Sequence, residues 1–284
     1  MPGILYVVAT PIGNLEDITF RALRVLREVA IIAAEDTRRT ARLLQHYSIS
    51  TPTTSLHEHN ERTRTPELIG RLQRGESVAV VSDAGTPLIS DPGGMLVAAA
   101  HDARIRVEPV PGPSAALAAV SASGLPADQI LIVGFPPSRS NDRKRWLGSL
   151  KDEPRLLVFF EAPHRIVETL RAGAGIWGNR PIMVGRELTK VHQEFLRGTA
   201  SDVLPRLEAS AKGEFTIVVG PMTKKTVSEV IGDAKVAEEF NRQTRAGATS
   251  RRAALSATAK RLGLSPKDVY AAVERTKDLG DTTK

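Results

Sequence analysis

The sequence has no cysteine and few aromatic side chains. Without cysteine among its 284 residues, disulfides and thiolate metal sites are excluded, and the composition is consistent with a reducing compartment. Seven Phe, two Trp and three Tyr are too few to indicate a stacking platform for single-stranded nucleic acid. No apolar run has the length of a membrane span or the flanks of a signal sequence, so we expect a cytoplasmic protein without a membrane partner.

Several catalytic and nucleotide-binding motifs are also absent. The sequence contains neither G-x-G-x-x-G nor G-x-x-x-x-G-K-[ST], which removes the usual basis for a dinucleotide or P-loop site. It has no H-E-x-x-H, and its six histidines do not have zinc-site spacing, so we expect no metal. It also lacks G-x-S-x-G, the nucleophile elbow. The polar loops that remain suit a small polar ligand held mainly by main-chain groups.

Basic charge is concentrated at the carboxyl end of the chain. The formal net charge is +7, and residues 224–284 contain 13 Lys and Arg against 8 Asp and Glu. A local excess of this kind attracts polyanions. It is equally typical of a solvated helix face, and both interpretations stay open on composition alone.

The first half of the chain alternates apolar runs with polar loops and helical spacing. Four short apolar runs predict buried strands. They are Ile4–Ala9, Ile31–Ala34, Ser77–Val81 and Ile105–Val110. The alternation predicts a doubly wound α/β domain over residues 1–122.

The rest of the chain predicts two further parts. Residues 123–223 have the strands and helices of a second α/β domain with a different rhythm, in which Leu156–Phe160 is one strand. Residues 224–284 predict a basic helical extension. The glycine turn at Gly263, between two helical stretches, is typical of a helix-turn-helix.

A loop of small residues, Ser82–Gly94, follows the third of the buried runs. Open α/β sheets bind ligands at the carboxyl ends of their strands. Small residues allow the backbone to approach a ligand, and Asp83 and Asp91 add acceptors. The same residue types also make ordinary turns. Asp91 followed by Pro92 further predicts a helix start, with Asp91 as N-cap.

Seven segments, in order along the chain, resemble the tetrapyrrole methylase superfamily and, within it, the methyltransferases that modify a cytidine of 16S ribosomal RNA. They are Thr10–Leu15, Ala34–Arg38, Ser82–Gly93, Pro111–Ala115, Phe160–Arg165, Arg186–Lys190 and Gly213–Ile217. The resemblance covers about residues 1–222. It implies an α/β fold: a two-domain class III methyltransferase, here with a basic helical C-terminal extension. It also implies S-adenosylmethionine as cofactor, 16S ribosomal RNA within the small subunit as substrate, and a homodimer.

By the same resemblance, residues of these segments are expected to bind the cofactor between the domains. They are Pro11, Gly13, Ser82, Asp83, Ala84, Gly85, Thr86, Pro87, Ile89, Ser90, Ser114, Ala115, Phe160 and Arg186. The first loop differs from that of the tetrapyrrole enzymes, which is glycine-rich, because Thr10–Leu15 has one glycine. This difference disfavours a tetrapyrrole substrate and leaves room for another acceptor.

A ribose hydroxyl is a poor nucleophile at neutral pH, so a general base would help its methylation. Glu161, His164 and Asp36 are the candidate catalytic residues, although Asp36 is also a plausible helix cap and His164 a plausible helix-start residue. Basic side chains suited to phosphate contacts complete the predicted site. They are Arg38, Arg165, Lys190, Arg251 and Arg252.

Two other functions remain open at this point. One is a methyltransferase that acts on a small tetrapyrrole-like molecule. The other is a nucleic-acid-binding protein whose first two domains sense a ligand without catalysing a reaction.

Overall fold

The structure is a computed structural model that describes residues 2–89, 91–222, 231–245 and 250–281. The chain divides into two compact units, Met1–Met222 and Thr223–Lys284. Within the described ranges, every helix is too short or too polar to cross a bilayer.

Five parallel strands form the first sheet, in the order β3-β2-β4-β1-β5. The strands are β1 (Ile4–Val8), β2 (Ile31–Ala34), β3 (Thr53–Ser55), β4 (Val78–Val81) and β5 (Arg106–Val110). The helices that follow the first four strands are α1 (Phe20–Glu28), α2 (Thr37–His46), α3 (Glu61–Gln73) and α4 (Gly94–Asp102). The doubly wound α/β pattern is confirmed. The edge strand β3 was not predicted, because its three polar residues carry no apolar signal.

Helices cover both faces of this sheet, because successive residues of a strand point to opposite faces. Ile32 of β2 packs with α1 and α2, whereas the next residue, Ala33, packs with α3 and α4. The helix after β1 therefore lies on one face and the helix after β4 on the other, although β1 and β4 are hydrogen-bonded neighbours. Their carboxyl ends form the crevice in which open α/β sheets bind ligands.

The second sheet is mixed, with the order β6-β7-β10-β8-β9. Only β6 and β7 pair in parallel. The strands are β6 (Ile130–Ile132), β7 (Leu156–Glu161), β8 (Ile182–Arg186), β9 (Glu194–Gly198) and β10 (Phe215–Val219). The helices α6 (Ser140–Ser149), α7 (Ile166–Trp177) and α8 (Ala200–Ala209) contribute side chains to the core on one face.

Helix α5 (Ala115–Ser123) follows β5 of the first sheet but packs against the second sheet. Its Ala119 shares an apolar cluster with Val158 and Val218 of the second sheet, and Ile12 from the loop after β1 joins the same cluster. One core therefore contains residues from both halves of the first unit, which fixes the walls of the groove between the two sheets. The boundary predicted between residues 122 and 123 falls at the end of this helix.

The second unit contains three described helices, α9 (Asp233–Arg245), α10 (Arg251–Leu262) and α11 (Pro266–Asp281). Val236, Phe240 and Val269 are among the side chains that form its small core. Helix α10 ends at Gly263, which has a left-handed backbone with φ of 67°. Glycine adopts this conformation without a Cβ penalty, and the turn leads directly into α11.

The helix start predicted at Asp91 is wrong. Helix α4 begins at Gly94, and its N-cap is Gly93, whose φ is 115°. A glycine has no side chain with which to cap, so the buried Glu61 of α3 accepts hydrogen bonds from the backbone N–H groups of Gly93 (3.0 Å) and Met95 (2.7 Å). Asp91 is therefore not used as a cap.

Replacing Glu61 will destabilise the first unit. We expect Glu61→Ala to lower the free energy of unfolding by about 2 kcal/mol, because one buried and one partly buried N–H group lose their acceptor. Glu61→Gln should cost about half as much, since its amide oxygen still accepts. Urea unfolding measures both values, with Glu67→Ala on the exposed side of the same helix as control. A loss in Glu61→Ala no larger than that in the control would contradict the capping role.

Candidate active site

The loops after β1 and β4 are joined by a short backbone bridge. The N–H of Thr10 donates to the carbonyl of Gly85 (2.9 Å), and the N–H of Gly85 donates to the carbonyl of Thr10 (3.0 Å). The Thr10 hydroxyl adds a bond to the carbonyl of Ser82 (3.1 Å). The Thr86 hydroxyl ties the second loop to the carbonyl of Pro113, ahead of α5 (3.2 Å). Three loops at the crevice therefore hold one another in place.

A cavity of about 380 Å³ lies on one side of this bridge, between the two sheets. Its volume is in the range of small-molecule and cofactor sites. Phe135 and Phe160 stand together at its wall, with ring centroids 5.4 Å apart. The start of α5 and the start of β10 close two further sides. The cavity thus offers aromatic faces, small side chains and exposed backbone to one ligand.

The structure brings eight of the predicted site residues together at this cavity. They are Ala84, Gly85, Thr86, Ile89, Ser114, Ala115, Phe160 and Glu161. Ser90 lies outside the described residues. Pro11, Ser82 and Asp83 line a second, smaller pocket across the bridge.

The remaining predicted cofactor residues lie away from the lining. Pro87 is buried in the loop. Gly13 packs so closely against the loop after β8 that an added Cβ would stand 2.5 Å from Cγ of Lys190. Arg186 donates to the carbonyl of Lys212 (2.7 Å), and its guanidinium lies 6.0 Å from the centroid of Phe215.

The carboxylate of Glu161, a predicted catalytic group, is fully engaged in the structure. It is buried, accepts from the Thr169 hydroxyl (2.6 Å) and its neighbour's N–H, and pairs with Arg165 (2.7 Å). These contacts fix the end of β7 and also occupy Arg165, a predicted phosphate ligand. Glu161 contributes to the cavity lining with its carboxylate bonded within the protein, and Arg165 is not among the lining residues.

The other two predicted catalytic residues lie outside the cavity lining. Asp36 caps α2 by accepting from the N–H of Arg38 (2.9 Å), and it also pairs with the guanidinium of Arg38. Hydrogen bonds from the Arg38 side chain and N–H lower the pKa of Asp36 to about 2, which makes it a weak base. His164 is exposed at the loop after β7.

The last three predicted substrate-binding residues are in different surroundings. Burial lowers the pKa of Lys190, but hydrogen bonds to Glu187 (2.9 Å) and Glu214 (3.0 Å) outweigh burial and raise it above its ordinary value. In the second unit, Arg251 pairs with Glu274 and lies 5.5 Å from the ring centroid of Tyr270. Arg252 is exposed on the same helix.

Asp91, which the sequence predicted both as a ligand acceptor and as a helix cap, lies in the cavity lining. Its half-buried carboxyl lines the large cavity. Partial burial and the nearby charge of Glu35 raise the pKa of Asp91 to about 6, although a hydrogen bond with Ser82 opposes the shift. Two glycines directly after Asp91-Pro92 were the signal for a turn in place of a helix. A carboxyl held in this way is suited to a cationic ligand group.

Comparisons with known proteins agree with this fold. The family model for tetrapyrrole (corrin/porphyrin) methylases matches residues 4–204. A protein of Xylella fastidiosa named ribosomal RNA small subunit methyltransferase I is 52% identical over 222 residues, which are 77% of this chain and 81% of that protein. The chain belongs to the tetrapyrrole methylase family. It is therefore a methyltransferase that takes its methyl group from S-adenosylmethionine.

A further relative and a solved structure are also similar to this chain. A protein of Thermotoga maritima with the same name is 50% identical over 218 residues, which are 76% of this chain and 98% of that protein. The solved structure of uroporphyrin-III-C-methyltransferase from Thermus thermophilus is similar with a TM-score of 0.55 at 22% identity. The match covers 77% of this chain and 94% of the solved chain. At that identity, the solved structure supports the shared fold alone.

Asp91 will reduce stability at high pH. The pKa of Asp91 is about 6 in the folded protein and 3.8 ordinarily. Above pH 6 the carboxyl is charged in the folded and in the unfolded protein, so its unfavourable ionisation in the folded protein lowers stability. Near pH 4 the folded protein keeps the carboxyl protonated, and the loss of stability is small. We expect Asp91→Asn to raise the free energy of unfolding by about 1 kcal/mol at pH 8, a value that allows for solvent screening of a half-exposed group. The gain should fade near pH 4.

Chemical denaturation at both pH values measures this difference. Asp128→Asn, in an exposed loop, is the matched control and should change stability equally little at each pH. A gain in Asp91→Asn that is the same at pH 4 and pH 8 would mean that Asp91 is not destabilised by ionisation.

Proposed function

We propose that the protein transfers the methyl group of S-adenosylmethionine to the 2′-hydroxyl of a cytidine ribose in 16S ribosomal RNA, within the small ribosomal subunit. The observation that carries this proposal is the identity of 47–54% with relatives named ribosomal RNA small subunit methyltransferase I. The likeness to a porphyrin methylase is only a likeness of fold, so it gives no comparable support for a tetrapyrrole acceptor. Membership of a methyltransferase family favours an enzyme over a ligand sensor.

The large cavity fits S-adenosylmethionine in chemistry as well as in size. Phe135 and Phe160 offer faces for an adenine ring. Gly85 lines the cavity without a side chain, and its φ of 82° lies in the left-handed region that favours glycine. Among the carboxylates of the lining, that of Asp91 is half-buried and has its pKa raised to about 6. We propose that it binds the ammonium group of the cofactor.

When bound, S-adenosylmethionine would supply an electrophilic methyl group on a sulfonium: a C–O bond to the acceptor forms as the C–S bond breaks in line, S-adenosylhomocysteine leaves, and the hydroxyl proton passes to a base or to water. The task of the protein is then to hold the acceptor hydroxyl against that methyl group and to exclude water. The tied loops after β1, β4 and β5 provide a rigid surface for this purpose. Glu161, His164 and Asp36 remain predictions as general bases, and two of them are held in ion pairs in the structure.

The second unit is proposed to bind RNA. The match to the Thermotoga maritima relative spans 218 residues, 98% of that protein. It leaves 66 of the 284 residues of this chain unmatched, close to the length of Thr223–Lys284. A unit that a relative lacks is suited to recognition and not to the shared reaction. The exposed Arg252 is proposed as a phosphate contact.

The assembly and location of the enzyme belong to the same proposal. The resemblance implies a homodimer, which would cover exposed apolar side chains of the first unit such as Met95 and Leu117. The cytoplasm is where small ribosomal subunits are available as substrate.

The proposed activity is tested by methyl transfer in vitro. Small subunits purified from a strain without this protein are incubated with the protein and methyl-labelled S-adenosylmethionine, and nuclease mapping locates the label. We expect one 2′-O-methylated cytidine in 16S ribosomal RNA. Label in a base or in no RNA, with cofactor binding intact, would contradict the proposal.

The affinity for S-adenosylmethionine should depend on pH through Asp91. With a pKa of about 6, the carboxylate is about one-tenth ionised at pH 5 and mostly ionised at pH 7, so we expect binding about tenfold tighter at pH 7. Calorimetric titration measures both constants. Asp91→Asn should bind more weakly and lose the pH dependence, whereas Asp128→Asn should retain it. Equal affinity of the unmodified protein at both pH values would contradict this role.

A further inference from the structure

The second pocket, across the bridge from the cofactor cavity, has a different chemical character. It measures about 130 Å³ and is lined by the side chains of Arg39 and Arg42 together with Leu15, Leu43 and Asp83. Two guanidinium groups beside an apolar wall form a surface that suits an anion attached to a ring or sugar. We call this surface the arginine pocket.

Arg39 and Arg42 line the same pocket and could contact one anion together. They lie three residues apart on α2, so they face the same side, where like charges repel. Arg39 is 3.2 Å from a carboxylate oxygen of Asp83, but its side chain is 65% exposed and retains free N–H groups. Arg42 is exposed, and no hydrogen bond or ion pair to it occurs within the part of the chain that the structure describes. An incoming phosphate would relieve this repulsion.

The apolar wall is held in place by the fold. Leu43 is 8% exposed and belongs to the core beneath α2. The Tyr47 hydroxyl donates to the carbonyl of Leu15 (2.6 Å), which fixes the short turn that carries the Leu15 side chain. The pocket is therefore shaped before any ligand arrives.

The arginine pocket and the cofactor cavity are lined by consecutive residues of the same two loops. Pro11 lines the pocket while Ile12 lines the cavity, and Asp83 lines the pocket while Ala84 lines the cavity. A transferred methyl group and its acceptor oxygen must come within about 3–3.5 Å. An acceptor therefore has to bind next to the cavity, and the arginine pocket is a polar site that shares the Thr10–Gly85 bridge with it.

We infer that the arginine pocket binds the RNA backbone beside the acceptor ribose, with Arg39 and Arg42 contacting a phosphate. The inference rests on the proposed function and adds the subsite that positions its substrate. It assigns the phosphate contacts to residues other than Arg38, Arg165 and Lys190, because none of these three lines the pocket.

The test compares single arginine variants with a matched control. Arg42→Ala removes one guanidinium of the pocket, and Arg42→Lys keeps the charge without its planar fork. Arg62→Ala removes another exposed arginine, from α3, which covers the opposite face of the sheet. Binding of full-length protein to purified small subunits is measured over a range of salt concentrations, and the KM for subunits and the dissociation constant for S-adenosylmethionine are measured separately.

We expect Arg42→Ala to weaken subunit binding about tenfold and to raise the KM for subunits by a similar factor. The negative slope of log affinity against log salt should become less steep by about 1, because one phosphate contact is lost. The affinity of this variant for S-adenosylmethionine and its kcat should stay within about twofold of the unmodified protein, and Arg42→Lys should recover part of the loss. Arg62→Ala should leave all of these values unchanged.

Subunit binding by Arg42→Ala equal to that by Arg62→Ala would overturn the inference. So would an equal loss of affinity for S-adenosylmethionine, because the pocket would then serve the cofactor. The binding measurement decides the matter even if no methyl transfer occurs. If the unmodified protein methylates subunits while Arg42→Ala binds them normally, the proposed function stands and the arginine pocket is not its substrate site.

Discussion

Two backbone hydrogen bonds join Thr10 to Gly85 across the carboxyl ends of β1 and β4, and the site depends on them. The two strands are neighbours, but the helices that follow them lie on opposite faces of the sheet. Without the bridge, the loop after β1 and the loop after β4 would lead away from each other. With the loops tied, consecutive residues divide between two pockets: Ile12 and Ala84 face the cavity, Pro11 and Asp83 the arginine pocket. A shift of the bridge would move donor and acceptor sites together, which keeps their separation fixed.

The two sides of the bridge differ in charge, which suits a cationic cofactor on one side and an anionic acceptor on the other. Asp91, with its pKa raised by burial and by Glu35, gives the cavity side an acidic group for a cationic cofactor. Arg39 and Arg42 give the other side two cations for an anionic acceptor. Asp83 pairs with Arg39 (3.2 Å) and so partly balances the two cations before ligands bind. Toward Asp91 it is a like charge, which helps to raise the pKa of Asp91. Opposite charges on adjacent sites help to keep each ligand in its own pocket.

Local sequence patterns predicted the strands and the loops at their carboxyl ends, because a buried strand is a short run of apolar residues that a polar loop follows. The runs at Ile31–Ala34 and Ser77–Val81 were sufficient to place ligand loops at the crevice. Side-chain partners from distant parts of the chain leave no such record. Glu61 caps α4 from another helix, which is why Asp91 was wrongly predicted as the cap. Arg38 is likewise engaged by Asp36, while its neighbour Arg39 turns into the pocket, a difference that only the folded helix reveals.

A crystal structure of the protein with S-adenosylhomocysteine, the product of the cofactor, tests most directly that the bridge separates a donor site from an acceptor site. The account predicts that the product lies in the cavity between Phe135, Phe160 and Asp91, with its amino group at the Asp91 carboxylate. It also predicts that the arginine pocket stays free of the product. Density for the product against Arg39 and Arg42 would contradict the assignment of the two pockets.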